Sequence, residues 1–223
     1  MILTHPGIGF ELDSGNDAVN TLVIENPKYY YEFISDLYGQ STGFDGKAVI
    51  SKDGKILEAS KYLDLIIQMI PFEINRKSLL NRIGSRIEDC IASGDYYLRM
   101  TELLGELTEL LFDVSFDLNC NLEFDKMSIG SVIKASGFYL RDDYESLAEK
   151  IIDYMELVRE FDRDKLFITV NMRDYISDRE AEGFVETVLS HEFSVIMIES
   201  HERERLAREK RFVIDKDLCE IIG

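Results

Sequence analysis

The apolar residues of this chain change their period twice. Short runs open it: "FEL" and "NTLVIEN" read as strands. In "NPKYYYEFISDLYGQ" the pattern becomes helical, with Tyr30, Phe33, Ile34 and Leu37 on one face, Asn26 placed to cap and Pro27 suited to the first helical position. "AVISKDGKILEA" alternates around Asp53-Gly54, the signature of a hairpin. "YLDLIIQMI" reads as a strand stopped by Pro71.

From there the pattern is helical for two long segments. Asn75 is placed to cap a helix through "RKSLLNRIGSRIEDCIASG". "YYLRMTELLGELTELLFDV" carries Met100, Leu103, Leu104, Leu107, Leu110 and Leu111 as one apolar stripe, which predicts a face packed against other helices. "MSIGSVIKASG" predicts a shorter third helix.

The last third alternates between the two periods. Leu147, Ile151, Met155 and Val158 mark an amphipathic helix, and "LFITV" a buried strand. Ser177 and Glu180 form a capping-box pattern before another helix, and "SVIMIES" is the next strand. Strand, helix and strand with short links predict a parallel βαβ unit. "HERERLAREKR" reads as a solvated helical turn, and "RFVIDKDLCEII" as a final strand with a short helical end. The expected architecture is α/β: a discontinuous head from 1–70 and 141–223, with a helical leg at 71–140 inserted in it.

Composition narrows the function. With 223 residues, 45% hydrophobic and 30% charged, the chain reads as a soluble folded protein. Its net charge of −18 argues against a generally basic nucleic-acid binder, though not against a local basic surface. No apolar run is long enough to cross a bilayer, and "MILTHPGIGF" lacks the basic and apolar stretches of a signal peptide, so a cytoplasmic protein is expected. The cysteines Cys90, Cys120 and Cys219 are widely spaced and odd in number, as for reduced thiols.

"SVIMIES" ends in an acid, like the second motif of a nucleotide hydrolase. Such an enzyme also needs a phosphate-cradling loop, G-x-x-x-x-G-K-[ST], between strand and helix. The nearest stretch, Gly43–Ala48, is too short, lacks the hydroxyl and precedes a strand. Glu199 is therefore expected to be a strand-end acid, hydrogen-bonded or solvated. His5, His191 and His201 have no HExxH spacing, and no G-x-S-x-G elbow occurs. No catalytic residue is assigned and no enzymatic activity is expected.

Two charged features remain. Asp113, Asp117, Glu123 and Asp125, with Asn119 and Asn121 between, put oxygen donors of the kind calcium takes into one stretch, but not at EF-hand spacing. Across Ile74–Ile87 lie Arg76, Lys77, Arg82 and Arg86 without an acid, and Arg82 and Arg86 are helical neighbours. Lys47, Lys52, Lys55 and Lys61 surround the hairpin as a weaker basic candidate. For both features a solvated surface is the simpler explanation.

The chain as a whole resembles the Csn-two family in its short form, the accessory spacer-adaptation protein of type II-A CRISPR systems. The resemblance rests on "TLVIENPKYYYEFISDLYGQ", "FDLNCNLEFDKMSIGSVIKASG" and "KLFITVNMRDYISDREAEGFVETVLSHEFSVIMIES", running on to "RFVIDKDLCEIIG", in one order over nearly the full length. It implies an ATPase-like head without a phosphate loop, an inserted leg, and a homotetrameric ring with a basic hole. That ring would bind double-stranded DNA ends without sequence specificity, beside the CRISPR integrase complex and the effector nuclease. It also implies structural calcium, carried over to Glu123 and Asp125 and less firmly to Asp117. Asn119 and Asn121 replace expected carboxylates there, which would weaken the ion. The positive DNA surface is expected from Arg76, Lys77, Arg82 and Arg86, with Lys52 and Lys55 as outside candidates. The alternative is an α/β regulator or scaffold, nucleotide-responsive, that binds only proteins.

Overall fold

The computed structural model of the chain describes residues 1–15, 17–118 and 122–222. They form an α/β protein with two sheets, and the chain divides into two compact units, Met1–Phe72 with Asp143–Gly223, and Glu73–Asp142.

In the first unit, β1 (Ile2–Thr4), β2 (Leu12–Asp13), β4 (Val49–Lys52) and β5 (Lys55–Leu57) make an antiparallel sheet in the order β2-β1-β4-β5. The second sheet adds β3 (Val19–Ile24), β6 (Leu63–Ile66), β7 (Leu166–Val170), β8 (Ser194–Glu199), β9 (Glu209–Ile214) and β10 (Glu220–Ile222), in the order β10-β9-β3-β8-β7-β6. Its four pairings from β9 to β6 are parallel, and only β10 pairs antiparallel, with β9. β3 and β7 are buried at every position, as a parallel sheet covered on both faces requires.

The helices follow local signals. α1 (Pro27–Ser41) starts where Asn26 accepts a hydrogen bond from the Tyr29 amide, with Pro27 at its first position. It seals Phe33 and Leu37 into a core shared with Leu3, Leu12 and Ile50 of one sheet and Leu22, Ile168 and Ile198 of the other. After the four-residue α2 (Ala59–Tyr62), β6 stops at Ile66 rather than near Pro71, because its pairing with β7 ends at Ile66↔Thr169. The Asp53-Gly54 turn has positive φ at both residues, 50° and 72°, which suits a two-residue hairpin.

In the second unit, α3 spans Lys77–Ser93, α4 Tyr97–Phe116 and α5 Ile129–Ala135. Asn75 is not the cap of α3. Its side chain instead spans 65 residues, donating to the Leu140 carbonyl at 3.0 Å and accepting from the Leu140 amide at 2.7 Å. The α4 stripe is not packed within the chain either. Leu103, Leu107, Leu110 and Leu111 are exposed, and Ser115 is the only buried residue of α4.

α6 (Leu147–Phe161) and α7 (Asp178–Ser190) return to the first unit, and the Ser177–Glu180 capping box is formed. β7, α7 and β8 complete the parallel βαβ unit. Two expectations fail after it. Residues 201–208 contain no helix, because Arg211 reaches back to the Arg203 and Glu204 carbonyls and Glu209 accepts from the Leu206 amide, fixing an irregular crossing. The chain end is a strand, because Asp215 accepts from the Asp217 and Cys219 amides and turns β10 back along β9.

Candidate nucleic-acid interface

Arg82 and Arg86 both lie exposed on α3. A helix of 3.6 residues per turn sets them about 40° apart, so they share a face, whereas Lys77 is about 140° from Arg82 and points elsewhere. Arg76 precedes the helix, and its Nε donates to the Glu73 carbonyl. The acid-free stretch therefore does not form one continuous basic surface: two arginines face together, and Arg76 and Lys77 lie apart from them. The first acids on α3 are Glu88 and Asp89, beyond Arg86.

The hairpin candidates also separate. Lys52 is held by Asp164 at 2.5 Å, and that hydrogen bond raises its pKa. The Asp164 carboxylate thereby offsets its positive charge locally. Lys55 is exposed on β5. Lys61 pairs with Glu58.

Glu123 and Asp125 are exposed in the segment before α5, and Asp117 is exposed at the end of α4. Asn119 and Asn121 lie outside the described residues, as does Cys120, while Cys90 and Cys219 are exposed free thiols. Among the described residues no three His, Cys, Asp or Glu side chains converge as a metal site.

The surroundings of Glu199 were less legible from local residues. Only two residues, Glu25 and Asn26, link β3 to α1, and Glu199 ends the neighbouring parallel strand β8. This rim, at the carboxyl ends of the strands, is where open α/β sheets commonly bind ligands. Here it is filled by side chains. Glu199 is 2% exposed, so it is not solvated as one expectation had it. One oxygen accepts a long bond from the Arg173 amide at 3.4 Å, and the other has no hydrogen-bond partner among the described residues. Burial is the main cause that raises its pKa to about 7; Asp174 adds to the rise, while the Arg173 amide bond and the charges of Arg173 and Arg203 oppose it. The Tyr30 hydroxyl, also without a hydrogen-bond partner among the described residues, is pushed above its ordinary range by burial and by the charges of Glu199 and Asp174. Arg173 ties to Asp178 at 2.7 Å, and Asp174 takes Arg203 and His201. Asn171, in the left-handed region at φ 51°, links the strand ends by accepting from the Ser200 amide. "SVIMIES" pointed to Glu199, but nothing local pointed to Tyr30 or Arg173, which arrive from two other segments, while Arg203 lies in the loop that follows β8.

Among the described residues of the helical unit, a cavity of about 760 Å³ runs along α4, and a smaller one lies between α3 and α5 around Gly84 and Gly130. Among the described residues no helix is long and apolar enough to cross a membrane.

Comparison with known proteins agrees with the resemblance noted from the sequence. The family described as CRISPR-associated protein (Cas_Csn2) matches residues 40–218. A CRISPR-associated protein Csn2 from Streptococcus agalactiae is 23% identical over 197 residues, covering 88% of this chain and 87% of its own. A CRISPR-associated protein Csn2 from Enterococcus faecalis is 20% identical over 157 residues, 70% of each chain. With the family match extending over most of its length, the chain belongs to the CRISPR-associated Csn2 family.

Proposed function

We propose that this protein binds the ends of double-stranded DNA, without reading sequence and without catalysis, as a homotetrameric ring acting in spacer acquisition beside the CRISPR integrase complex and the type II effector nuclease. Family membership supports the CRISPR role. The observation that carries the DNA reading is the exposed Arg82–Arg86 face of α3, in a stretch free of acids inside a chain of net charge −18. Such a chain repels a duplex from most of its surface, so binding depends on local phosphate contacts, which position DNA but carry no base information. The exposed leucines of α4 support assembly: a row that includes Leu103, Leu107, Leu110 and Val114 is the kind of face that another subunit covers. The two-residue link from β3 to α1 leaves no length for a phosphate loop, which supports a non-catalytic role.

Calcium belongs to the same proposal but fits the described side chains only in part. The ion takes about six to eight oxygens. Glu123 and Asp125 would supply two of its ligands, and the rest would come from groups outside the described side chains of one subunit. When bound, the ion would neutralise carboxylates and thereby favour assembly of an acidic protein.

The test compares linear with relaxed closed-circular duplex in a gel shift, for wild type and for Arg82→Ala with Arg86→Ala of confirmed oligomeric mass. Linear duplex should bind and circles should not. The variant should bind linear DNA more weakly, with a salt slope smaller by about one unit per lost phosphate contact. Unchanged affinity and slope would remove α3 from the interface; equal binding of circles would remove threading; absence of any DNA binding would favour a protein-only scaffold.

A further inference from the structure

The larger cavity of the helical unit is an open-ended problem in packing. It extends along α4 from Tyr97 to Asp113, a length of about 24 Å or four turns of helix. Its floor is Leu104, Gly105 and Phe112, and its other wall is Phe124, Met127 and Ile129 of the segment leading into α5. Phe112 and Phe124 meet edge to face at 4.9 Å and fix that wall against the helix. The two threonines in the lining are not polar hooks, because Thr101 and Thr108 donate to the Tyr97 and Leu104 carbonyls of their own helix. The groove is thus apolar inside.

Gly105 is the informative residue. A glycine in a helix interior is destabilising relative to alanine. Elsewhere in this unit a Cβ on Gly130 would lie 2.7 Å from a Glu88 oxygen, and one on Gly84 would make ordinary contact with Phe138 and Ile133 at 3.5–3.7 Å. A Cβ on Gly105 meets nothing within 4 Å. Among the described residues nothing occupies the space above it, which is the floor of the groove.

The rim gives the sign of the occupant. Glu109 and Asp113, neither of them assigned to calcium, stand exposed along it, and Lys126 is the one basic residue of the lining. A second α4 is a poor match, since this helix bears Glu102, Glu106, Glu109 and Asp113 against Arg99. The apolar stripe of Leu103, Leu107 and Leu110 also lies on the far side of α4, so the groove is distinct from the face assigned to self-assembly.

We propose that the α4 groove receives an amphipathic, positively charged helix of a partner protein, about four turns long, whose apolar face crosses over Gly105 and whose Lys or Arg residues meet the acidic rim. The mode is helix-in-groove recognition, with apolar anchors supplying affinity and charge supplying selection. It goes beyond DNA binding and does not depend on it.

The probe is a fluorescein-labelled synthetic 16-residue helix with leucines at i, i+3, i+4 and i+7 spacing and lysines elsewhere, titrated against the full-length protein by anisotropy. Controls are the same lysine composition with the leucines scrambled, and a glutamate counterpart. The lysine helix should bind at least about ten-fold tighter than either control. Gly105→Leu fills the groove from a site with open space above it, so it should weaken binding about ten-fold or more without lowering the melting temperature, which helix propensity should if anything raise, and with the oligomeric mass by light scattering unchanged. Glu109→Gln with Asp113→Asn should weaken it while keeping the apolar floor. Equal binding of the scrambled peptide would reduce the effect to bulk charge and overturn the proposal, as would unchanged binding to Gly105→Leu or no binding to wild type. A fall in oligomeric mass for Gly105→Leu would show a second copy of the chain in the groove and would also overturn it.

Discussion

Replacing Glu199 by Gln tests the rim of the sheet. A carboxyl whose folded-state pKa is about 7, against an ordinary 4.5, favours the folded state while it is protonated. Because the folded value is the raised one, the contribution is complete below about pH 4.5 and is lost as pH rises through 7. A shift of that size corresponds to about 3 kcal/mol between the two limits. The neutral amide has no charge to bury, so it should remove this dependence. At pH 5 the two proteins should differ little, set only by the geometry of the amide. At pH 8.5 Glu199→Gln should be the more stable by about 2–3 kcal/mol, or roughly 5–10 °C in melting temperature for a chain of this size. His5 titrates in an overlapping window with the opposite sign. Burial lowers its pKa, so the unfolded state takes the proton first and stability falls as pH drops below the ordinary histidine value. The measured quantity should therefore be the difference between wild type and variant in urea melts at matched pH, which cancels His5. A difference that stays flat from pH 5 to 8.5 would refute the reasoning and place Glu199 in a hydrated site with an ordinary carboxyl.

Other expectations follow from single contacts. Asn75→Ala breaks both hydrogen bonds to Leu140 and leaves half-buried backbone groups unpaired, so the helical unit should lose about 1–3 kcal/mol in thermal or urea melts. Steady-state assays should find no ATP or GTP turnover; hydrolysis abolished by Glu199→Gln would overturn the non-catalytic reading. In calcium against chelator, wild type should gain oligomeric mass and melting temperature, and the Glu123→Gln, Asp125→Asn double variant should not. A double variant that responds like wild type would exclude these two carboxylates as ligands. Asp164→Ala should cost under about 1 kcal/mol, since its pair with Lys52 is exposed.

What the sequence settled by itself were features whose partners lie within a few residues. Asn26 reaches the Tyr29 amide, Ser177 and Glu180 satisfy each other, and Asp53-Gly54 supplies the two positive φ angles of a hairpin, so each was legible from the residues themselves. "LFITV" and "SVIMIES" were legible for a related reason: an uninterrupted β-branched and apolar run is stable only where both faces are covered. The basic pair Arg82 and Arg86 was equally local, being one helical turn apart. What failed depended on partners far along the chain. Asn75 looked like a cap, but Leu140 offered both a donor and an acceptor. The last residues looked helical, but β9 offered an open edge. The α4 leucines looked like packed core, yet amphipathic spacing shows only that a face is apolar, not which body covers it. Lys52 looked like a free cation until Asp164, 112 residues on, was brought beside it. Glu199 is the sharpest case. Its place at a strand end was readable, while its raised pKa comes from burial and from Asp174, against the opposing charges of Arg173 and Arg203, and only the folding of three separate segments around one sheet edge brings these groups and Tyr30 together.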